Sequence, residues 1–175
     1  MPKLHELFLT FLYCGKARKA PGTFGSLAAL IFWLCVTFFF CDNQYLILAQ
    51  NIFWTTFLII AFVYGCIASP IYGKKFGQVD HQTIVLDEVV GQIFALQFTF
   101  ALIYENYFSH LSLVLSHLIF CFICFRFLDI KKPLFIGYVD RNFKNGFGVM
   151  FDDLICGVLT GIFGFIFLKL TLMIR

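Results

Sequence analysis

Charge is scarce in this chain: Asp, Glu, Lys and Arg together make up only 13% of its 175 residues. With 61% hydrophobic residues, 26 Phe and a mean hydropathy of +0.88, the composition excludes an ordinary soluble domain and reads as an integral membrane protein. Lys and Arg are missing altogether from the connections Asp42 to Tyr45 and Glu105 to His110. No small-residue cleavage site follows the N-terminal apolar stretch, and Lys16, Arg18 and Lys19 come after it, so a cleavable signal is not expected. The CxxC formed by Cys121 and Cys124 lacks the second pair that a zinc site requires. Cys35, Cys41, Cys66, Cys121, Cys124 and Cys156 fall in or beside apolar segments and read as small packing residues. The length leaves room for one helical domain, residues 1–175.

What is present is a series of apolar segments. A bilayer core of about 30 Å takes a helix of about 20 residues. Leu46 to Ser69, Val89 to Tyr104, Leu111 to Leu128 and Leu154 to Ile174 suit that length, and the shorter Ser26 to Cys41 is read as a fifth span, with a re-entrant helix as the alternative. The expected fold is therefore an all-α polytopic bundle of four to five transmembrane helices. Lys and Arg gather in three places: the N-terminal arm, Lys74 with Lys75, and the segment from Arg126 to Lys144. The positive-inside rule then puts the N-terminus in the cytoplasm and, with five spans, the C-terminus outside. Before the first span, Leu4, Leu7, Phe8, Phe11 and Leu12 recur at helical spacing, as in a helix lying on the membrane surface or packed against the bundle.

Eight of the ten acids flank the ends of these segments that topology assigns to the cytoplasm. They include Asp80, Asp87 with Glu88, Asp129, and Asp152 with Asp153. Carboxylates beside hydrocarbon are costly unless they meet cations or a metal, so this placement points to Mg²⁺ held for phosphate chemistry. Three polar blocks carry the pattern. In Lys19-Ala20-Pro21-Gly22-Thr23-Phe24-Gly25-Ser26, a Pro and Gly turn opens an apolar helix with Ser26 available as a cap. Backbone N–H groups at such a start favour an anion, and Lys19, Thr23 and Ser26 are the candidates to hold phosphate, the alternative being a plain helix start. In the block from Asp80 to Gly91, a helix starting near Thr83 places Asp87 and Glu88 in its second turn, with Gly91 beside Asp87 leaving space for a helix or ligand. The bland reading of those acids is dipole capping. In the third, Arg126, Asp129 and Lys132 form one stripe at i, i+3, i+6 until Pro133 ends the helix, and Asp152 and Asp153 precede a last helix smoothed by Gly157, Gly161 and Gly164.

The order and spacing of these blocks resemble the phosphatidylglycerophosphatase A family. Its pattern is similar to PGTxGSLAA, DHxxIVxDExxG, FRxxDxxKPxPI, an Asp-Arg pair and GxGIMxDDxxAG. This chain has PGTFGSLAA, DHQTIVLDEVVG, FRFLDIKKPLFI, Asp140-Arg141 and GFGVMFDDLICG, from about Tyr13 to Gly157. It departs at Phe135, Val149 and Cys156, and keeps only Gly15 of a Gly-rich stretch before PGT. The resemblance implies Mg²⁺-dependent hydrolysis of phosphatidylglycerophosphate to phosphatidylglycerol and phosphate. That is the last step of phosphatidylglycerol synthesis, at the cytoplasmic face of a bacterial inner membrane. The expected partners are the phospholipid substrate and the bilayer, with no nucleic acid.

A few of Asp87, Glu88, Asp129, Asp152 and Asp153 would hold the metal, with the Asp residues also serving as candidate catalytic groups. Arg126, Lys132 and Arg141 would neutralise the phosphate. Water is preferred to an Asp as the attacking group. His81 is a candidate proton relay, or else a hydrogen-bonded surface residue. No Cys carries an Arg six residues on, which disfavours a cysteine-nucleophile phosphatase. A CDP-alcohol phosphatidyltransferase is excluded because no DGxxAR start with G-x3-D-x3-D spacing occurs. A small cation channel would need acids deeper in the helices than these.

Overall fold

The structure, a computed structural model, describes residues 3–40, 44–79, 81–107 and 111–174. Asp42, Asp80, Cys41 and Arg175 lie outside the described residues. Eight α-helices and no strand occur among the described residues: α1 (Lys3–Leu9), α2 (Pro21–Phe40), α3 (Gln44–Gly73), α4 (Leu86–Phe98), α5 (Phe100–Tyr107), α6 (Leu111–Lys131), α7 (Phe135–Asn142) and α8 (Gly146–Met173). Three stretches, Ile47–Phe76, Leu111–Lys131 and Gly146–Met173, are long and apolar enough to cross a membrane, and Pro21–Thr37 is a shorter apolar helix. Their outward faces carry Ile59, Ile60, Val63, Ile119, Ile123, Phe163 and Ile166, the apolar exposure that lipid contact requires. The chain is a helical membrane protein.

Several helix boundaries differ from the sequence expectation, each for a local reason. Helix α2 starts at Pro21, whose fixed φ and missing N–H suit the first helical position. Ser26 is therefore not a cap: it lies in the second turn and its hydroxyl donates to the Gly22 carbonyl at 3.0 Å. Helix α4 starts at Leu86 and not near Thr83, which puts Asp87 and Glu88 in its first turn. Helix α8 starts at Gly146, because the Asn145 side chain caps it by accepting from the Gly148 N–H at 2.9 Å. Asp152 and Asp153 thus sit inside the helix instead of before it. The expected continuous span from Val89 to Tyr104 is broken at Thr99, so neither α4 nor α5 alone reaches about 20 residues. There the Thr99 hydroxyl lies 3.1 Å from the Leu96 carbonyl and 2.9 Å from His117 Nε2 of α6. A side chain that bonds back to its own turn weakens the helix at that point.

Helix α4 is the centre of the bundle, packed most extensively on α8 and then on α2, with Val89, Ile93 and Leu96 fully buried. At their crossing, α4 and α8 touch backbone to backbone. A Cβ on Gly157 would strike the Gly91 carbonyl, and one on Gly91 would strike the Asp153 carbonyl. This close approach, of the small-residue kind common between membrane helices, brings Asp153 beside the acids of α4. Helix α1 lies against α3, with the His5 and Tyr64 rings stacked and Leu9 buried.

Replacing Gly157 by Leu must push α4 off α8. It should lower stability by about 3 kcal/mol, whereas Ile166→Val on the exposed face of α8 should change it by less than about 0.5 kcal/mol. Thermal unfolding in detergent checks both.

Candidate active site

Four chain segments meet at one end of the bundle around a cavity of about 250 Å³. The start of α2 contributes Ala20, Pro21 and Gly22, and the α4 segment contributes Gln82, Ile84, Asp87 and Glu88. The end of α6 and the residue after it supply Arg126, Asp129 and Lys132, and α8 supplies Asp152 and Asp153. Every carboxylate expected from the sequence to act on a metal lies in this one lining. Gly22 is needed for the fit, because a Cβ there would run into the Glu88 carboxylate and the Arg126 guanidinium.

Within the cavity the acids divide into two groups. Asp87, Glu88 and Asp153 each offer a ligand atom, all within 4.8 Å of one another. Asp87 and Asp153 are 7% and 3% exposed, and Glu88 Oε2 and Asp153 Oδ1 are buried without a hydrogen-bond partner. Burial pushes the Glu88 carboxyl up to about 8, reinforced by the nearby Asp153 and Asp129 charges. Unpartnered carboxylate oxygens at this spacing fit a hard divalent cation taking oxygen ligands. The second group, Asp129 and Asp152, is held by cations. Arg126 Nη1 donates to Asp129 Oδ2 at 2.6 Å, and Lys132 Nζ donates to Asp152 Oδ2 at 2.6 Å.

The two cations are themselves fixed. Arg126 Nη1 also reaches Ser26 Oγ at 3.3 Å and lies 4.0 Å from Glu88 Oε1, while its Nε is buried without a partner. The expected stripe of Arg126, Asp129 and Lys132 stops at Asp129. Lys132 leaves the helix with φ of 42°, ahead of Pro133, and turns its ammonium to Asp152 and, at 2.8 Å, to Asp140 of α7. Burial works against the Lys132 charge, but Asp152 and Asp140 outweigh it and hold its pKa above the ordinary lysine value. Asp140 shows the converse: burial opposes its ionisation, and Lys132 nevertheless holds it below the usual carboxylate range.

Other expected site residues lie elsewhere. Lys19 and Arg141 are exposed and Thr23 is half-buried, and none of them lines the cavity. Ser26 does not line it either, and its Oγ accepts from Arg126 Nη1. His81 stacks on Phe76 at 3.9 Å between ring centres, with Nδ1 2.9 Å from Thr83 Oγ1, and lines a neighbouring cavity with Gln82. Sequence reasoning passed over Gln82, Ile84 and Asp140. The first two lay inside a recognised block without charge to mark them, and Asp140 was noted only as half of an Asp-Arg pair.

A helical membrane protein that gathers three clustered carboxylates, two further carboxylates held by cations and two fixed cations at one end of its bundle has the makings of a phosphoryl-transfer enzyme. Comparison with known proteins agrees. The model of the family Phosphatidylglycerophosphatase A matches residues 7–168. The Haemophilus influenzae Phosphatidylglycerophosphatase A is 32% identical over 144 residues, covering 82% of this chain and 76% of that protein. The Escherichia coli protein of the same name is 32% identical over 156 residues, 87% of this chain and 77% of its own length. A Bacteroides thetaiotaomicron protein named as a proposed phosphatidylinositol-3-phosphatase is 33% identical over 146 residues, 82% and 80% of the two chains. No solved structure matches significantly. The chain belongs to the phosphatidylglycerophosphatase A family and is a phosphatase.

Because the Glu88 pKa is higher in the fold than its ordinary value of 4.5, the folded protein binds this proton more tightly than the unfolded chain. Metal-free protein should therefore lose stability as pH rises from 4.5 to about 8 and level off above. Thermal midpoints of EDTA-treated protein across that range check this, and Glu88→Gln should make the fall shallower.

Proposed function

We propose that this chain hydrolyses the phosphomonoester of phosphatidylglycerophosphate, giving phosphatidylglycerol and inorganic phosphate, with Mg²⁺ as cofactor. The observation that carries the reading is the trio Asp87, Glu88 and Asp153, two of them with a buried unpartnered oxygen, set beside Arg126 and Lys132. The trio would hold Mg²⁺. Once bound, the ion would supply positive charge to the phosphoryl oxygens and make a water acidic enough to attack.

The remaining chemistry belongs to the chain's own groups. Arg126 spends one nitrogen on Asp129 and Ser26, which leaves its other N–H groups to donate to phosphate oxygens in the planar geometry that suits them. Lys132, kept charged by Asp152 and Asp140, adds a second cation against the charge that grows on the transferring group. Asp129 and Asp152 then serve to orient these cations, and water is the attacking group. His81 has no part in this scheme, since it lines the adjoining cavity. The start of α2 closes the site from the side, with Gly22 admitting Glu88 and Arg126.

A lipid anchored by its acyl chains presents its phosphate at headgroup level, and the polar cavity lies at the end of apolar helices, where that group would arrive. The distribution of Lys and Arg supports a cytoplasmic N-terminus and a site facing the cytoplasm of a bacterial inner membrane, at the last step of phosphatidylglycerol synthesis.

The test is phosphate release in detergent micelles from phosphatidylglycerophosphate and from phosphatidylinositol 3-phosphate, with Mg²⁺ and with EDTA. Mg²⁺-dependent release from phosphatidylglycerophosphate is expected, and Asp87→Asn and Asp153→Asn should each lower it at least about 100-fold. Preference for the phosphoinositide would overturn the substrate assignment, and release unaffected by EDTA would overturn the metal.

A further inference from the structure

A second, larger cavity of about 720 Å³ lies between α1 with its following turn and α3. Its volume falls in the range of roughly 300–1,000 Å³ typical of small-molecule sites, and its walls are aliphatic and aromatic. Three observations distinguish it from an ordinary lipid-facing crevice.

The first is direction. The α3 wall runs from Tyr64 to Phe53, about 16 Å at 1.5 Å per residue. Tyr64 meets His5 of α1, its hydroxyl 2.7 Å from Nδ1, and the end of α1 is tied to the approach to α4, where the Val85 N–H donates to the Leu9 carbonyl at 3.0 Å. The groove therefore starts at the acidic end of the bundle and runs along α3 towards the other end. The second is proximity along the chain. Leu86 lines the groove, while Asp87, the next residue, lines the acidic cavity.

The third is strain. Phe11, Leu12 and Tyr13 follow one another with φ of 39°, 56° and 66°, a left-handed run that side-chain-bearing residues avoid. It is held by bonds from the Leu12 N–H to the Leu7 carbonyl and from the Gly15 N–H to the Thr10 carbonyl. The result places Phe11 and Leu12 in the groove wall. Strained backbone of this kind is concentrated at ligand clamps and functional sites.

We propose that this groove seats one fatty-acyl chain of the lipid substrate while the headgroup phosphate occupies the acidic cavity, so that α1 and α3 set chain-length selectivity. The identity of the lipid rests on the phosphatase reading above. An acyl chain fits a long, aromatic-walled, headgroup-to-core groove, and its burial there holds the phosphomonoester next to Asp87.

The test substitutes exposed groove residues of α3, Thr56→Trp and, as a second variant, Ile60→Trp. For each variant, kcat/KM is measured on dioleoyl and on dihexanoyl phosphatidylglycerophosphate. The ratio of long-chain to short-chain kcat/KM should fall at least about tenfold, equivalent to losing roughly two buried methylenes. An unchanged ratio in both folded variants would overturn the proposal. In parallel, phosphatidic acid carrying a diazirine on its acyl chain is photolysed with the protein in vesicles. Adducts are expected on the α1 and α3 walls and should be reduced by Thr56→Trp, whereas equal labelling of Ile119 and Ile123 on α6 would show annular lipid only and contradict a built site. If the wild-type protein releases no phosphate from either substrate, the phosphatase reading fails, and the labelling still decides the groove.

Discussion

Asp87, Glu88 and Asp153 share one buried space, and like charges within 4.8 Å repel strongly where water is scarce. Most of the local architecture is arranged around that cost. Arg126 stands 4.0 Å from Glu88 without neutralising it fully, because the same nitrogen is committed to Asp129. Lys132 leaves helical geometry ahead of Pro133 and meets Asp152 and Asp140. Two carboxylate oxygens, Glu88 Oε2 and Asp153 Oδ1, are left buried without a hydrogen bond, and the divalent cation proposed above would relieve the remaining repulsion. Burial first, and then the neighbouring Asp153 and Asp129 charges, push the Glu88 carboxyl up to about 8, so protonation of Glu88 also relieves part of the repulsion.

This arrangement depends on two backbones touching. Gly91 and Gly157 let α4 and α8 approach until the carbonyls of one helix fill the space where the other would carry side chains. Asp153 sits one turn before Gly157, so the same contact that packs the core sets the distance from Asp153 to Asp87 and Glu88. Packing and chemistry are coupled here through glycine. A second coupling runs from α1 through the Leu9 to Val85 hydrogen bond into the segment that leads to Asp87. Through it, the N-terminal helix takes part in positioning the site although none of its residues lines the acidic cavity.

Much of this was legible in the sequence. Long apolar runs announced membrane helices, and scarce charge made each acid informative, so the carboxylates of two separate blocks could be assigned to one end of the bundle from the sequence. The division of labour among them was not legible. Arg126 and Asp129 are close in sequence, but the pairing of Lys132 with Asp152 and Asp140 depends on how α7 folds back. Helix starts were misjudged where a polar cap, Asn145, or a Pro, Pro21, outweighed the hydrophobic boundary. The break at Thr99 owes part of its geometry to His117, eighteen residues away on another helix, and His81 is turned from the acidic cavity by its stacking on Phe76. The apolar groove depends on left-handed residues that carry no glycine to mark them. The pairing of Lys132, the break at Thr99 and the orientation of His81 are tertiary contacts overriding a local signal, whereas the helix starts and the left-handed turn are set locally.

The central claim is that three buried carboxylates form one divalent-cation site. The most direct measurement is an anomalous-difference map from crystals of the protein soaked in Mn²⁺, an oxygen-loving ion that can stand in for Mg²⁺. A peak between the carboxylates of Asp87, Glu88 and Asp153, lost in Asp153→Asn crystals, is the result this account predicts. An empty trio in protein that binds Mn²⁺ elsewhere would contradict it.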